Sequence, residues 1–398
     1  MNPAYPKTTD LVVAGAGPAG MAAALTGARR GMKVLLVDPA FEPGGIIAEG
    51  LHTELCGLYN GTAIQSVADT MNPGVQREMA KALNRCRPQL SQPLKRGRVT
   101  ILPFEQRDLR YVLKQWLAAE PNLSTLMRTA VTDVECRNGR IQSIGLSNHE
   151  RVICGSVADC TGCAVIASLA GACLQTDNKD EEPQLAGLTI KFGQVGGDAS
   201  MLPIAVPYSL REAVVAGSLP PWAQFTVYTP SPSVNGEGIC KLAIPFEMIA
   251  RLEGKGGGEW GACFLNSLLH ELRARLPDAF APARILARAS IPQPRQEARL
   301  KGDLTLTEND VLAGRKYGSE QAVRNAWPIE FWHPVEGPQY DYLAPGDWYE
   351  IPTGCLRTAA VVNLRCAGRC VSATPRAAAS VRAAGACLAL GELAVESL

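Results

Sequence analysis

This 398-residue sequence has almost no net charge, only four histidines and few long apolar runs. Its 39 Lys and Arg residues are balanced by 38 Asp and Glu residues, so charge gives no reason to expect nucleic acid or an anionic membrane as a partner. The longest apolar run near the C-terminus, AAGACLALGELAV, is too short and too rich in glycine to cross a bilayer. The N-terminus, MNPAYPKTTD, lacks the apolar core of a secretory signal. We therefore expect a cytoplasmic protein with neither nucleic-acid nor membrane partners.

Cysteine and histidine are not arranged as in a metal centre. The 13 cysteines stand at irregular spacings, and no second cysteine pair or His-x-x-x-His accompanies the C-x-x-C of Cys160 and Cys163 in DCTGC. A structural zinc ion needs four ligands, and a disulfide framework is typical of secreted chains. We predict no metal site. The C-x-x-C spacing also occurs in redox-active disulfides, so Cys160 and Cys163 are either a redox centre or part of a structural segment.

The start of the chain predicts a βαβ unit. The apolar runs DLVVAGA (10–16) and KVLLVD (33–38) are typical of buried strands. Between them, PAGMAAALTGARRG (18–31) is typical of an alanine-rich helix that ends at a glycine. A strand, a helix and a second strand within 30 residues form the unit on which dinucleotide-binding domains are built.

A glycine fingerprint stands where the first predicted strand meets the helix. The pattern G-x-G-x-x-G allows a tight turn, lets a pyrophosphate approach the backbone and lets the helix pack closely on the strand. Asp38 ends the second strand 18 residues beyond Gly20, where a carboxylate can accept hydrogen bonds from ribose hydroxyls. We predict a dinucleotide site whose fingerprint residues are Gly15, Gly17, Pro18, Ala19 and Gly20.

A second match to the glycine pattern, GGGEWG (256–261), lacks this context. It follows the polar segment MIARLEGK (248–255), and no buried strand ending in an acidic residue comes after it. We predict a helix–helix connection at this place, and one dinucleotide site in the chain.

The rest of the chain predicts two further types of structure. Helices are predicted around 75–85, 106–119 and 261–276, and short strands within 124–146 that turn at Asn138-Gly139. An antiparallel sheet is predicted from strands at 185–195, 223–229, 239–245 and 283–291. We predict a nucleotide-binding domain formed by residues 1–172 and 346–398, interrupted by a substrate domain at 173–345.

Several segments resemble a known flavoprotein family. They are the βαβ unit (10–38), PGG (43–45), VADCTGCAVIASLAGA (157–172), RLKGDLTLTENDVLAGRKYG (299–318) and the C-terminal run 349–394. The sequence resembles the FAD-dependent oxidoreductases of the glutathione-reductase-like superfamily, which has two dinucleotide-binding domains, and is nearest the group known simply as FAD-dependent oxidoreductase. The resemblance implies an α/β fold: a Rossmann-like FAD-binding domain with an inserted α+β substrate domain built on an antiparallel sheet.

The resemblance also implies which residues hold FAD. The fingerprint glycines would meet the pyrophosphate, Asp38 the ribose, and the N-terminus of the helix near Arg382 the flavin pyrimidine. In DCTGC the cofactor contacts would come from the Thr-Gly between the cysteines, which favours a structural segment over a redox centre. The other residues implied are Gly44, Gly45, Val131, Thr161, Gly162, Gly368 and Arg369.

Candidates for the chemistry itself are few. His52 follows the PGG segment and is a candidate acid or base or, less expectedly, a covalent flavin anchor, and Glu49 stands in the same loop. Arg299 and Arg382 are candidates for binding a substrate carboxylate or stabilising an anionic flavin. Many relatives have histidines in the last block, where this chain has Pro375 and alanines, so a mechanism that needs them cannot be transferred.

One aromatic-rich segment and the choice of reaction remain open. Residues 332–349 concentrate aromatic side chains and form either a wall of the substrate site or a packed junction. We predict hydride transfer between a small organic substrate and FAD. The alternatives are a flavin-dependent monooxygenase, or a flavoprotein that acts on a protein partner in maturation or electron transfer.

Overall fold

The computed structural model describes residues 5–61, 64, 66–175, 184–249, 257–289, 292–318 and 321–398. In chain order its strands are β1 (Thr8–Ala14), β2 (Val34–Asp38), β3 (Glu54–Leu55), β4 (Leu94–Arg96), β5 (Val99–Pro103), β6 (Leu123–Met127), β7 (Val131–Arg137), β8 (Arg140–Leu146), β9 (Arg151–Asp159), β10 (Leu174–Gln175), β11 (Ala186–Gly193), β12 (Val227–Pro230), β13 (Gly238–Ile244), β14 (Arg284–Arg288), β15 (Arg299–Leu300), β16 (Ala322–Asn325), β17 (Ile329–His333), β18 (Gly337–Asp341), β19 (Tyr349–Pro352) and β20 (Leu364–Cys366). Its α-helices are α1 (Pro18–Arg29), α2 (Ile46–Glu49), α3 (Val75–Cys86), α4 (Gln106–Ala119), α5 (Val165–Leu169), α6 (Leu202–Val215), α7 (Gly257–Arg275), α8 (Pro277–Phe280), α9 (Glu308–Leu312), α10 (Pro375–Val381) and α11 (Ala384–Glu396).

The largest sheet has the strand order β6-β2-β1-β9-β8-β7, and β20 pairs with β9 off this path. The pairs β6/β2, β2/β1, β1/β9 and β9/β20 are parallel. Both faces are covered: Leu11 and Val13 of β1 belong to one hydrophobic core, and Val12 and Ala14 to another. A strand buried on both faces needs an uninterrupted apolar run, which is why DLVVAGA predicts it correctly. The carboxyl ends of β1, β2, β9 and β20 therefore meet at one edge.

Helices α1 and α11, from opposite ends of the sequence, pack against each other. Their contact is close because small residues face each other: a Cβ on Gly391 would lie 1.9 Å from the carbonyl oxygen of Ala19. The N-terminal βαβ unit is thus completed by the last helix of the chain.

The predicted strands within 124–146 are β6, β7 and β8. The turn between β7 and β8 falls at Asn138 and Gly139, whose φ angles of 51° and 68° are both left-handed. This is the backbone that an Asn-Gly pair favours in a two-residue hairpin.

A second sheet has the order β12-β13-β11-β14, with every pair antiparallel. Helices α6 and α7 and the two inner strands share a separate hydrophobic core, which is formed by residues between 186 and 289. Leu306, Val323 and Ile329 pack instead in the core beneath α1 and α11. The packing therefore assigns much of the segment after residue 300 to the first core.

The prediction for GGGEWG is wrong in part. Gly258 and Gly261 lie inside α7 and not in a connection between helices, whereas Gly256 is outside the described residues. Within the described part of the chain, no single helix is long and apolar enough to cross a membrane. The pair α10 and α11 meets that test only when taken together, and it is bent by 93°.

Candidate functional site

A cavity of about 810 Å³, here called the first cavity, opens at the carboxyl edge of the parallel strands. Open α/β sheets bind nucleotides at this edge. Most of the residues predicted to hold a cofactor line it: Gly15, Gly17, Pro18, Ala19, Asp38, Gly45, Val131, Thr161, Gly162, Gly368 and Arg369. Gly20 and Gly44 are not among the lining residues; a Cβ on Gly20 would lie 1.7 Å from the carbonyl oxygen of Gly15, and one on Gly44 2.8 Å from the Cβ of Ala48.

Two fingerprint glycines differ in what surrounds them. Gly15 has a φ of +98°, and a Cβ there would be 2.3 Å from the carbonyl oxygen of Cys160, so this position needs glycine for the fold itself. Gly17 has an ordinary φ of −70°, and a Cβ there would meet nothing within 4 Å. Gly17 is also the N-cap of α1, and no side chain caps this helix end. The absence of a Cβ at Gly17 thus leaves room beside the uncapped N-terminus of α1, which suits an anionic pyrophosphate.

Asp38 is held by backbone amides at the end of β2. Its Oδ2 accepts a hydrogen bond from the Ala16 amide at 2.5 Å, and its Oδ1 accepts one from the Ala40 amide at 2.7 Å. Glu49 lines the same cavity, where burial, with a smaller effect from the charge of Asp38, raises its pKa. The carboxylate of Asp38 is therefore fixed toward the cavity and keeps lone pairs for hydroxyl donors.

The DCTGC segment turns around a buried carboxylate. Asp159, at the end of β9, accepts from the Thr161 hydroxyl at 2.7 Å and from the Ala167 amide at 3.0 Å. The Thr161 hydroxyl in turn accepts from the Val165 amide at 3.1 Å, which fixes the start of α5. These bonds present Thr161 and Gly162 to the first cavity.

A second cavity of about 540 Å³ adjoins the first. The two cavities share the lining residues Ile46, Pro294, Arg369, Arg382 and Ala384. Arg382 stands in the break between α10 and α11 and is the C-cap of α10, so the final helix begins two residues later than its predicted start near Arg382. The N-terminus of α11 has no side-chain cap, and Ala383 and Ala384 face the second cavity.

Arg382 and Glu330 form a pair in the wall of the second cavity. Nη2 of Arg382 lies 3.7 Å from Oε1 of Glu330 and donates to the Glu330 carbonyl at 2.9 Å. The indole N–H groups of Trp332 and Trp327 donate to the carboxylate at 2.9 and 3.2 Å. Burial alone would raise the pKa of Glu330, but the charges of Arg382 and Arg295 and the two indole donors outweigh it and lower the pKa. Glu330 is therefore ionised at neutral pH.

Several residues of the second cavity were not predicted from the sequence. Arg295 lies four residues before Arg299 in an irregular segment, where no periodicity distinguishes the two. Lys241 was detectable in principle, because it is the one partly exposed residue in the otherwise buried strand GICKLAI. Nothing in the sequence marks Glu330 or Trp327 as a site residue, except that both stand close to the aromatic segment.

Arg299, by contrast, does not line either cavity. It belongs to β15, which pairs with β10, and only 2% of it is exposed. Its Nε donates to the Ala373 carbonyl at 2.9 Å and its Nη1 to the Glu297 carbonyl at 3.1 Å. These bonds give Arg299 a structural place behind the site.

Some residues of the aromatic segment 332–349 line the second cavity, and others pack outside it. Trp332, Tyr340 and Tyr342 line the second cavity, and the rings of Tyr340 and Tyr342 are stacked with centroids 6.1 Å apart. Trp348 and Tyr349 do not line it. His333 is also outside, and its Nδ1 accepts from two backbone amides in the turn that follows.

His52 lines the second cavity and bonds to Gln293. Its Nε2 is 2.8 Å from Oε1 of Gln293, whose own Nε2 donates to the Gly50 carbonyl at 3.0 Å. Because Gln293 presents its oxygen, His52 carries its proton on Nε2 and leaves Nδ1 as an acceptor. Burial, followed by the charge of Lys241, lowers the pKa of His52 to about 4. His52 is neutral at physiological pH.

The lowered pKa predicts a pH dependence of stability. Between pH ~6.5, the ordinary pKa of histidine, and pH 4, the unfolded chain binds a proton that native His52 does not, so stability should fall as pH falls, by about 3 kcal/mol in all. His52→Asn should remove this part of the dependence in urea unfolding measured from pH 7 to 4. His270→Asn, on the exposed face of α7, is the control and should keep it. An unchanged pH profile in His52→Asn would contradict the assignment.

The thiols of DCTGC are poor nucleophiles. Burial raises the pKa of Cys163 to about 11 and that of Cys160 well above its ordinary value. We expect iodoacetamide at pH 7.5 to label the exposed Cys173 and Cys263 first and to leave Cys160 and Cys163 unmodified in the native protein, as checked by peptide mass mapping. Rapid labelling of Cys163, or a disulfide between Cys160 and Cys163, would restore the redox interpretation.

The sequence matches a known protein family over most of its length. A family described as FAD dependent oxidoreductase matches residues 10–224 and 250–395. The match covers the parallel sheet and most residues that line the two cavities, but it leaves out β12, β13 and Lys241.

Individual proteins are more distant. Sarcosine oxidase subunit alpha from Corynebacterium sp. (strain U-96) is 38% identical over 63 residues, which are 16% of this chain and only 6% of the length of that protein. Among solved structures, p-nitrophenol 4-monooxygenase from Pseudomonas putida DLL-E4 has a TM-score of 0.49 at 10% identity, over 95% of this chain and 77% of that one. A geranylgeranyl bacteriochlorophyll reductase-like protein from Thermoplasma acidophilum has a TM-score of 0.46 at 13% identity, over 98% and 79% of the two chains.

Proposed function

We propose, because this chain belongs to the family of FAD dependent oxidoreductases, that it transfers a hydride between a small organic substrate in the second cavity and FAD in the first. FAD is the cofactor of this family, and when bound it supplies the hydride acceptor or donor. The protein is an FAD-dependent oxidoreductase; the substrate, the direction of transfer and the residues that bind each partner are our proposal.

One observation carries the proposal: the two cavities adjoin and share five lining residues. A molecule that extends from Gly17 and Asp38 along the first cavity ends among Arg369, Arg382 and Ala384, which also line the second cavity. Hydride transfer requires contact between the reacting group of the substrate and that of the cofactor. It also requires that water be excluded from between them. The junction of the two cavities permits both conditions.

The residues of the first cavity fit FAD. The open space at Gly17 and the uncapped start of α1 suit the pyrophosphate, and the fixed carboxylate of Asp38 suits the ribose. Gly162, Gly368 and Arg369 would hold the middle of the cofactor. Nη2 of Arg369 is 3.0 Å from Oε2 of Glu297, so this guanidinium is already oriented along the wall.

The residues at the junction have separate tasks in this proposal. Arg382 holds a positive charge where negative charge would develop, and Glu330 keeps its side chain in place. His52 remains uncharged and offers Nδ1 as a hydrogen-bond acceptor to substrate, with Gln293 fixing the ring. Trp327 and Trp332 exclude water and give the cavity flat apolar surface.

We further propose that the chain is organised as a glutathione-reductase-like FAD-binding domain interrupted by an inserted substrate domain, for which the sequence predicts the bounds 1–172 and 346–398 against 173–345. The antiparallel sheet with its own core at 186–289 supports an inserted unit. The packing of Leu306 and Ile329 in the first core supports a boundary nearer residue 290 than 345.

The test uses purified holoprotein under anaerobic conditions. A substrate should either bleach the oxidised flavin or reoxidise the photoreduced flavin, with one product molecule formed per flavin. In the presence of labelled oxygen gas, the product should contain no oxygen atom from the gas. Incorporation of that atom would support a monooxygenase instead, and electron exchange only with another protein would support a carrier.

A further inference from the structure

The second cavity carries more positive than negative charge. Its lining includes two carboxylates, Glu54 and Glu330, and five basic side chains: Arg96, Lys241, Arg295, Arg369 and Arg382. His52 does not add to the charge at neutral pH, because its pKa is about 4. Charges buried in excess of their partners are costly, so the excess indicates either strain or an absent anion.

Part of this charge is matched within the protein. Oε1 of Glu54 lies 3.5 Å from Nε of Arg96, and Oε2 lies 3.6 Å from Nζ of Lys241. One carboxylate therefore pairs with two cations. Arg369 is paired with Glu297 of the first cavity at 3.0 Å. One positive charge is therefore unmatched beside Arg96 and Lys241, whose side chains are 50% and 28% exposed. A second is unmatched at Arg295 and Arg382, which interact with the single carboxylate of Glu330.

Arg295 has no carboxylate within 4 Å among the residues that the structure describes. Its guanidinium lies over the ring of Trp332, 4.1 Å from the centroid, and Nη1 donates to the Leu185 carbonyl. Burial, followed by the charge of Arg382, lowers the pKa of Arg295 to about 9. The Nε of Arg382 is buried and has no hydrogen-bond partner in the described part of the chain. Two guanidinium groups thus line one cavity, and neither has all of its N–H groups bonded to the described part of the chain.

A flat aromatic surface borders these donors. The indole of Trp332 supports Arg295 on one side, and the stacked rings of Tyr340 and Tyr342 stand elsewhere in the same wall. A guanidinium offers planar paired donors that match the two oxygens of a carboxylate.

We propose that the substrate of this site is an aromatic carboxylic acid, whose carboxylate binds Arg295 and Arg382 and whose ring packs against Trp332 and Tyr340. This inference rests on the proposed function, since it names the class of small molecule that occupies the second cavity. Arg295 is its specificity-determining residue, and bound carboxylate supplies the negative charge that the cavity lacks.

The test measures binding to FAD-loaded protein by titration calorimetry, with no turnover required. Benzoate and 2-naphthoate should bind, and their primary amides, of nearly the same shape, should bind about 10- to 100-fold more weakly. Arg295→Gln should weaken carboxylate binding by a similar factor and leave amide binding unchanged, and Arg295→Lys should restore part of the loss. Arg288→Gln, an exposed arginine on β14, removes the same charge outside the cavity and should bind benzoate as the wild type does.

Three results would overturn the inference. They are equal binding of acids and amides, equal loss in Arg295→Gln and Arg288→Gln, and tighter binding of phenyl phosphate than of benzoate. FAD content of each variant, measured after denaturation, verifies that the fold is intact. Carboxylate binding that depends on Arg295 without any anaerobic flavin reaction would contradict the proposed hydride transfer alone, so the two failures are distinguishable.

Discussion

Replacing Gly17 by leucine is expected to abolish FAD binding while leaving the apoprotein folded. The backbone of Gly17 is one that any residue adopts, and a Cβ there meets no atom within 4 Å, so the fold has no need for glycine. A leucine side chain would instead fill the space beside the start of α1, where a pyrophosphate has to approach the helix amides. We expect FAD affinity to fall by ~1000-fold or more, and the free energy of unfolding of the apoprotein to change by about 1 kcal/mol at most.

Two other glycines make this experiment specific. Gly217→Leu is the control: Gly217 is exposed with open space around it, and its φ of +75° makes the substitution strained, yet FAD should still bind. Gly15→Ala should lower both stability and FAD content, because its Cβ would collide with the Cys160 carbonyl. FAD content is measured by absorbance after reconstitution and denaturation, and stability by urea unfolding. A yellow Gly17→Leu protein with wild-type affinity would refute the placement of the pyrophosphate.

Arg382→Met is expected to destabilise the protein more than the loss of any surface ion pair. The substitution leaves Glu330, whose side chain is 18% exposed, with two indole donors but without its paired cation. Removing one partner of a fully buried pair typically costs about 3–5 kcal/mol and breaking an exposed pair about 1 kcal/mol or less, so we expect a fall of about 2 kcal/mol in the free energy of unfolding at pH 7. Arg376→Met is the matched control in the first turn of α10, the helix that Arg382 caps, because Arg376 pairs with Asp341 and Glu308 nearer the surface. Its loss should cost about 1 kcal/mol or less.

The pH dependence of this loss identifies its cause. In the wild type the pKa of Glu330 is lowered, so the pair stabilises the native state above the ordinary pKa of a glutamate, and the stabilisation disappears as pH falls through the lowered value. In Arg382→Met, burial should raise the pKa of Glu330 instead, and the deficit should shrink toward pH 4. The double variant Arg382→Met/Glu330→Gln should recover much of the stability at pH 7. A deficit that is independent of pH and unrelieved by Glu330→Gln would assign the loss to packing.

The parts of the site that could be predicted from sequence are those with local rules. Gly15, Gly17 and Asp38 have fixed spacings because a strand, a turn and a helix impose them, and the structure places all three at one cavity. The Asn138-Gly139 turn was predictable for the same reason, since its left-handed backbone requires these residue types.

The second cavity could not be predicted in this way. Arg295 and Arg299 are four residues apart and chemically alike, but β15 directs Arg299 to backbone carbonyls, whereas Arg295 lies over Trp332 in the cavity wall. An isolated bridge between Gly187 and Gln293 brings the preceding segment against β11. Contacts between residues more than 100 positions apart decide which arginine lines the second cavity, and no local pattern records them.

The pairing of α1 with α11 has a consequence for biosynthesis. The first cavity has one wall at Gly15 and Gly17 and another at Gly368, Ala384 and Cys387, so it does not exist until α11 has been synthesised and has packed on α1. A dinucleotide can therefore enter the first cavity only after both walls are in place.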